Sequence, residues 1–136
     1  MKEVKTFNSN EATLSVDLSE ATQAVKENRF EDAIKLSEII LKDHSDNIDA
    51  LYLASVSSRY LKNFDESKKF IEQLMGIAPD MGRAYQELGH IYRDTGNMEK
   101  AVIHYRQACE LNPALLASWN QLYKYFTENK NQPASD

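Results

Sequence analysis

The chain has 136 residues, of which 42% are hydrophobic and 27% charged, the size and composition of one soluble globular domain. Its net charge of -5 disfavours a nucleic-acid or anionic-membrane surface, because both need an excess of basic residues. The single cysteine, Cys109, excludes an internal disulfide and a zinc cluster of cysteines. With no apolar run typical of a signal peptide or a membrane span, we predict a cytoplasmic protein without metal or cofactor.

The chain begins and ends with polar segments. Residues 1–12 carry no helical period and are predicted to be a disordered lead-in, and residues 130–136 a flexible tail. Residues 13–129 between them have the apolar periodicity of helices.

Residues of the same kind recur 34 positions apart along this central region. Three classes share the spacing: the aromatic or methionine residues that open every second helix, Phe30, Phe64 and Met98; the prolines that close them, Pro79 and Pro113; and large residues of the alternate helices, Leu51, Tyr85 and Trp119. Agreement among three independent classes indicates an internal repeat.

The clearest copy lies between Arg83 and Pro113. Its first helix carries Tyr85, Leu88, Gly89 and Tyr92 on one face, and its second carries Ala101, Tyr105, Ala108 and Leu111. Gly96 and Asn97 break the pattern between the two helices. This order of large and small residues, closed by a proline, resembles the tetratricopeptide repeat (TPR), a helix-turn-helix unit of about 34 residues.

The resemblance implies an all-α fold, an α-α superhelix or TPR solenoid. We expect three helix-turn-helix repeats, at about 14–47, 48–81 and 82–115, and a C-terminal capping helix at 116–129. The second repeat should present Ser67, Ile71, Leu74 and Ile77, with its turn at Lys62-Asn63, where asparagine tolerates a left-handed backbone.

The capping helix is expected to bury Trp119 and Phe126 against the third hairpin. Tyr123 replaces Gly89 at the position where a first helix closely approaches its own second helix, and no second helix follows. Two alternatives remain open: this helix ends the array, or the sequence is the front part of a longer protein.

The sequence contains no constellation typical of an active site. His44, His90 and His104 occupy different repeat positions, and among four glycines there is no phosphate-binding loop or nucleophile motif. Cys109 is predicted to be a small buried thiol. We therefore predict that the chain is not an enzyme.

The resemblance implies a binding surface, because the first helices of such arrays line a concave groove. The predicted groove set is Leu18, Thr22, Val25, Tyr52, Val56, Arg59, Gln86, His90, Arg93, Asn120, Lys124 and Thr127. We expect an apolar side chain of a ligand near Tyr52 and Val56, and a carboxylate near Arg59 and Arg93, although Asp94 and Glu87 lie close enough to neutralise part of this charge. Besides these four residues, we expect Gln86, His90, Asn120 and Lys124 to contact the ligand.

The leading hypothesis is thus a non-catalytic scaffold or adaptor that binds a peptide or protein segment, with an acidic group as a candidate feature of the ligand. The lysine and asparagine of the clamp that holds heat-shock chaperone tails are replaced here by Leu18 and Thr22, or by Tyr52 and Val56. That specialised activity is not expected.

Two alternatives accompany the scaffold hypothesis. The chain could form a homodimer through the C-terminal helix, where Tyr123 and Tyr125 have no following hairpin to cover them. Residues 83–120 also resemble repeats that precede sulfotransferase-like domains in some bacterial multidomain proteins.

Overall fold

The computed structural model of the chain describes residues 9–129, and the side chains of residues 18–129. These residues form seven α-helices and no strand: α1 (Ser9–Lys26), α2 (Phe30–Asp43), α3 (Ile48–Tyr60), α4 (Phe64–Ile77), α5 (Gly82–Asp94), α6 (Met98–Leu111) and α7 (Leu116–Glu128). The predicted all-α class is confirmed. Helix α1 begins within the predicted lead-in, so residues 9–12 are helical; residues 1–8 and the predicted tail at 130–136 lie outside the described residues.

The chain divides into two compact units, Met1–Ile77 and Ala78–Asp136. In the first unit α2 packs on α1 and on α3, α1 also contacts α3, and α4 packs on α3. In the second unit α6 packs on α5 and on α7, and α5 contacts α7. Each unit therefore brings two alternate helices side by side, α1 with α3 and α5 with α7.

The three turns inside the hairpins have the same geometry. Each contains one residue with positive φ, at Asn28 (62°), Lys62 (65°) and Gly96 (86°), again 34 positions apart. In the second turn Lys62 N–H donates to the carbonyl of Arg59 and Asn63 N–H to that of Ser58. This is a Schellman C-cap, and its left-handed residue is Lys62 and not the neighbouring asparagine that we expected.

Proline ends the helices as predicted. Helices α4 and α6 stop two residues before Pro79 and Pro113, since the residue before a proline disfavours helical backbone. Both proline carbonyls accept a side-chain hydrogen bond from the following helix: Tyr85 OH donates to Pro79 O at 3.0 Å, and Trp119 Nε1 donates to Pro113 O at 2.8 Å. Tyr85 near the start of α5 and Trp119 near the start of α7 thus each fix the loop that precedes their helix.

Small residues make up much of both cores. The first unit buries chiefly alanines and serines around Leu51, Ile71 and Leu74, and the second buries Leu88, Tyr105 and Leu122. Four predicted core residues are instead about half exposed: Ile77 and Leu111 in the last turns of their helices, and Trp119 and Phe126 on α7. Ser118 and Leu122 are the buried residues of the predicted capping helix, because no helix among the described residues covers the other side of α7.

Candidate functional site

In the first unit the predicted binding residues lie on α1 and α3. Tyr52 and Val56 are half-buried on α3, one helical turn apart, and Leu18 and Val25 are half-buried on α1. Helices α1 and α3 are in contact, and these four side chains are the apolar members of the predicted set in this unit.

Arg59 does not extend this face as a cation available to a ligand. Its side chain is only 7% exposed, and its guanidinium carbon lies 4.7 Å from the ring centroid of Tyr60. Tyr60 in turn stacks on Phe30, with ring centroids 4.7 Å apart and planes within 3°. Arg59 therefore belongs to a stack that joins the end of α3 to the start of α2.

In the second unit Gln86 has a structural role. Its Oε1 accepts hydrogen bonds from the backbone N–H of Ser118 at 3.0 Å and from the Ser118 hydroxyl at 2.7 Å. Helix α7 lacks a side-chain cap of its own, because its N-cap residue is Leu115. Gln86 supplies that cap from α5 and fixes the start of α7 on α5.

The two other predicted residues of α5 are also engaged. His90 Nδ1 lies 2.7 Å from the Tyr105 hydroxyl, and Arg93 Nε lies 2.8 Å from Asp94 Oδ1. The expected neutralisation by Asp94 is therefore present. Both side chains remain partly accessible, and a ligand would meet them already oriented by their neighbours.

Helix α7 carries three exposed members of the predicted set. Asn120 and Lys124 lie one turn apart, and Thr127, one turn further on, lines the α6–α7 side of the helix. Helix α7 lies beside α5, which carries His90 and Arg93. We call His90, Arg93, Asn120 and Lys124 the polar face of the second unit.

A hollow of about 730 Å³ lies on the α6–α7 side of this unit. We call it the α6–α7 hollow. Its lining residues are Arg106, Cys109, Glu110, Trp119, Leu122, Tyr123, Phe126 and Thr127. The sequence indicated that no hairpin follows α7 to cover Tyr123, but it could not indicate that α6 contributes to a hollow, since that requires knowing which side of α6 stays uncovered.

Cys109 lies in this hollow with 6% of its surface exposed, as a small buried thiol was predicted to do. Burial raises the pKa of the Cys109 thiol, because the thiolate loses hydration. The protonated form is therefore favoured, which makes the group a poor nucleophile.

His104 contacts neighbouring side chains of its own hairpin. His104 stacks on Tyr92 with ring centroids 5.3 Å apart, and its Nδ1 lies 2.8 Å from Gln107 Oε1. Among the described residues no three His, Cys, Asp or Glu side chains are grouped so as to hold a metal ion. No helix in residues 9–129 is long and apolar enough to cross a membrane.

The repeat and the helical hairpins agree with comparisons to known proteins. The sequence model of the tetratricopeptide repeat matches residues 48–81 and 82–115, together half of the chain. The chain belongs to the tetratricopeptide repeat family, as its sequence predicted. The fold of this family is typical of protein–protein interaction modules, and its members are generally non-catalytic scaffolds.

Solved structures share the fold at low sequence identity. An O-GlcNAc transferase from Thermobaculum terrenum is 20% identical with a TM-score of 0.80; the match covers 86% of this chain but 22% of that protein. The first TPR domain of human RPAP3 is 17% identical with a TM-score of 0.77, over 88% of this chain and 97% of the domain. The first TPR of Spaghetti (RPAP3), bound to the HSP90 peptide SRMEEVD, is 17% identical with a TM-score of 0.76, over 86% and 93%.

Proposed function

We propose that this chain is a non-catalytic scaffold that binds an extended or helical segment of another protein on its first-helix faces. The observation that carries the proposal is the pair Asn120 and Lys124, which stay exposed on α7 beside His90 and Arg93. A structural neighbour, Spaghetti (RPAP3), binds an acidic peptide with the same fold. The family's general role supports the same assignment.

The two units, each taken by itself, offer different chemistry to a ligand. An apolar ligand side chain suits Tyr52 and Val56 of the first unit, where contact would remove a half-buried apolar surface from water. A ligand carboxylate suits the polar face of the second unit. We assign that carboxylate to Lys124 and Asn120 ahead of Arg59 and Arg93, because Arg59 is buried and Arg93 already contacts Asp94.

The test is a selection from a displayed library of seven-residue peptides with free carboxyl termini, followed by fluorescence anisotropy on the selected peptides. Each is measured as the free acid and as the C-terminal amide. We expect the acid to bind more tightly, and Lys124→Glu to weaken it roughly tenfold by placing like charges together.

The matched control is Lys69→Glu, which makes the same charge change at an exposed position of α4. It should leave peptide binding unchanged. Failure to select any peptide, or equal binding by wild type and a folded Lys124→Glu variant, would refute the assignment.

A second candidate function is self-association through α7. It is supported by Leu116, Trp119, Tyr123 and Phe126, whose side chains are 72%, 47%, 74% and 45% exposed. An apolar surface of this kind is typical of a protein contact. The remaining hypothesis, a position ahead of a sulfotransferase-like catalytic domain, stays a prediction that a longer reading frame would test.

A further inference from the structure

Exposed apolar side chains are concentrated at one end of the second unit. Among the described residues nine large apolar side chains are 43% or more exposed, and four of them lie on α7. Three of the four, Trp119, Tyr123 and Phe126, border the α6–α7 hollow. Single exposed apolar residues are ordinary on a protein surface, whereas a cluster of them beside a hollow indicates a binding surface.

The second unit itself shows how such a face is covered. On α5 the equivalent positions, 34 residues earlier, are Tyr85, Leu88, Gly89 and Tyr92, and α6 packs against them. At Gly89 the Tyr105 ring of α6 comes so close that a Cβ would lie 2.7 Å from its Cε1. In this hairpin α5 has no side chain at Gly89, and the Tyr105 ring of the covering helix α6 fills that space.

On α7 this relation is reversed. Tyr123 stands at the position of Gly89 and is 74% exposed, so the ring is already on α7. A covering helix with a large residue at the position of Tyr105 would collide with it. The face therefore requires a partner that supplies a gap for the Tyr123 ring and an apolar group for the hollow.

A second copy of this chain meets both requirements with a single surface. Tyr123 is an exposed ring, and the hollow beside it has buried apolar residues, Cys109 and Leu122, at its base. In a two-fold symmetric contact the same patch of one copy faces that of the other. The Tyr123 ring of each copy would then fill the hollow of its partner, so the same contact forms twice.

The charges at the hollow have the symmetry that such a contact needs. Arg106 and Glu110 both line it, and they are four residues apart on α6, about 6 Å along the helix. When two copies face each other with α6 antiparallel to α6, Arg106 of one lies beside Glu110 of the other, and the pair forms twice. A partner of uniform charge would leave one of these two groups opposite a like charge.

We propose that two copies of the chain pair isologously through the α6–α7 hollow. Each Tyr123 ring enters the hollow of the partner, and each Arg106 lies beside Glu110 of the partner subunit. The inference rests on the proposed self-association and adds to it the surface, the symmetry and the charge pairs.

The first test is sedimentation equilibrium of the full chain across a concentration series. We expect wild type to form dimers and Tyr123→Ala to weaken dimerisation at least about tenfold, as loss of a central aromatic contact does. The matched control is Ile39→Ala, which removes another large apolar side chain, 55% exposed on α2, that does not line the hollow. It should leave dimerisation unchanged.

The second test exchanges the charges. Arg106→Glu alone should place two acids together at each end of the contact, and Glu110→Arg alone two bases, so each variant should be monomeric. Mixed in equal amounts, the two variants should form a heterodimer, since every acid then faces a base. Lys69→Glu mixed with Glu72→Lys, a comparable pair on exposed positions of α4, should show no such dependence on mixing.

The outcomes separate this pairing from self-association in general. A wild-type chain that stays monomeric at the highest concentration overturns both, and leaves the hollow to a helix of another protein or to a following segment. Dimers that are insensitive to Tyr123→Ala, or charge variants that do not recombine, overturn the assigned surface while self-association stands. Circular dichroism of every variant confirms that folding is unchanged.

Discussion

The hairpins α3–α4 and α5–α6 bring their helices together at the same repeat position by different chemistry. In α3–α4 the contact is between serines: Ser55 Oγ donates to the Ser67 carbonyl at 2.8 Å, and Ser67 Oγ donates to the Ser55 carbonyl at 2.7 Å. In α5–α6 the same two positions hold Gly89 and Ala101, and a buried Tyr105 ring fills the space over the glycine.

The two hairpins thus share a close-packed contact between their helices, but different residues form it. Where α5 has glycine, α6 has the large Tyr105; where α3 has the larger Ser55, α4 has the smaller Ile71 at the position of Tyr105. Because both Tyr105 and Ile71 are fully buried, a gain in volume on one helix has to be matched by a loss on the other.

The α1–α2 hairpin contains the smallest combination of the three. Ala21 stands at the position of Ser55 and Gly89, and Ser37 stands at the position of Ile71 and Tyr105. Ser37 is fully buried, and its hydroxyl has no hydrogen-bond partner among the described residues. This hairpin therefore contains a buried hydroxyl whose loss of hydration is not offset by a hydrogen bond.

The largest expected effect is at Tyr105. Tyr105→Ala removes a fully buried ring opposite a glycine that cannot fill the cavity, and we expect a loss of about 3–5 kcal/mol in the free energy of unfolding. Chemical denaturation followed by circular dichroism measures it. Tyr105→Phe is the control: it keeps the ring, removes the hydroxyl that contacts His90, and should cost about 1 kcal/mol.

Gly89→Ala should act against the usual preference of helices for alanine. The new Cβ would lie 2.7 Å from the Tyr105 Cε1 and 2.8 Å from its Cδ1, so the buried ring must move, at a cost of about 1–3 kcal/mol. Gly76→Ala is the matched control, because Gly76 lies in α4 with no atom within 4 Å of the added Cβ. It should stabilise the chain by about 0.5–1 kcal/mol. Thermal and denaturant unfolding that shift in the same direction for both variants would contradict the close approach.

Replacing single serines should have opposite effects on the two hairpins of the first unit. Ser55→Ala removes a buried hydroxyl that contacts Ser67, and we expect a loss of about 1 kcal/mol. Ser37→Ala removes a buried hydroxyl without a partner and should stabilise the chain by up to about 1 kcal/mol. Equal losses in denaturant unfolding would show that Ser37 makes a contact comparable to that of Ser55.

Much of the fold could be predicted because the signals for helices and turns are local and repeated. The prolines show this well, since Pro79 and Pro113 end α4 and α6 at equivalent positions, as predicted. The start of α1 was missed because residues 9–12 are mostly polar, and no apolar period marks them as helical.

The candidate site was less predictable, since it depends on contacts between residues distant in sequence. The spacing on α3 predicted one surface for Tyr52, Val56 and Arg59 but could not indicate that Arg59 is buried beside Tyr60. From the sequence we assigned Gln86 to ligand binding, because its partner Ser118 lies 32 positions further along the chain and the contact could not be foreseen. The one available signal for this contact was Leu115, the N-cap residue of α7, which has no side-chain oxygen to cap that helix.

The smallest predicted effect concerns the positive-φ residues of the three turns. A left-handed backbone costs an L-residue with a Cβ roughly 1 kcal/mol that glycine avoids, and asparagine tolerates it better than lysine. Lys62→Gly should therefore stabilise the chain by about 1 kcal/mol, and Asn28→Gly by less. Gly96→Ala should destabilise it by about 1 kcal/mol, although no atom lies within 4 Å of the added Cβ. That open space makes the comparison specific: a loss at Gly96 reflects backbone conformation and not collision. Unfolding midpoints that rank these three variants in another order would show that the turns differ in backbone geometry as well as in sequence.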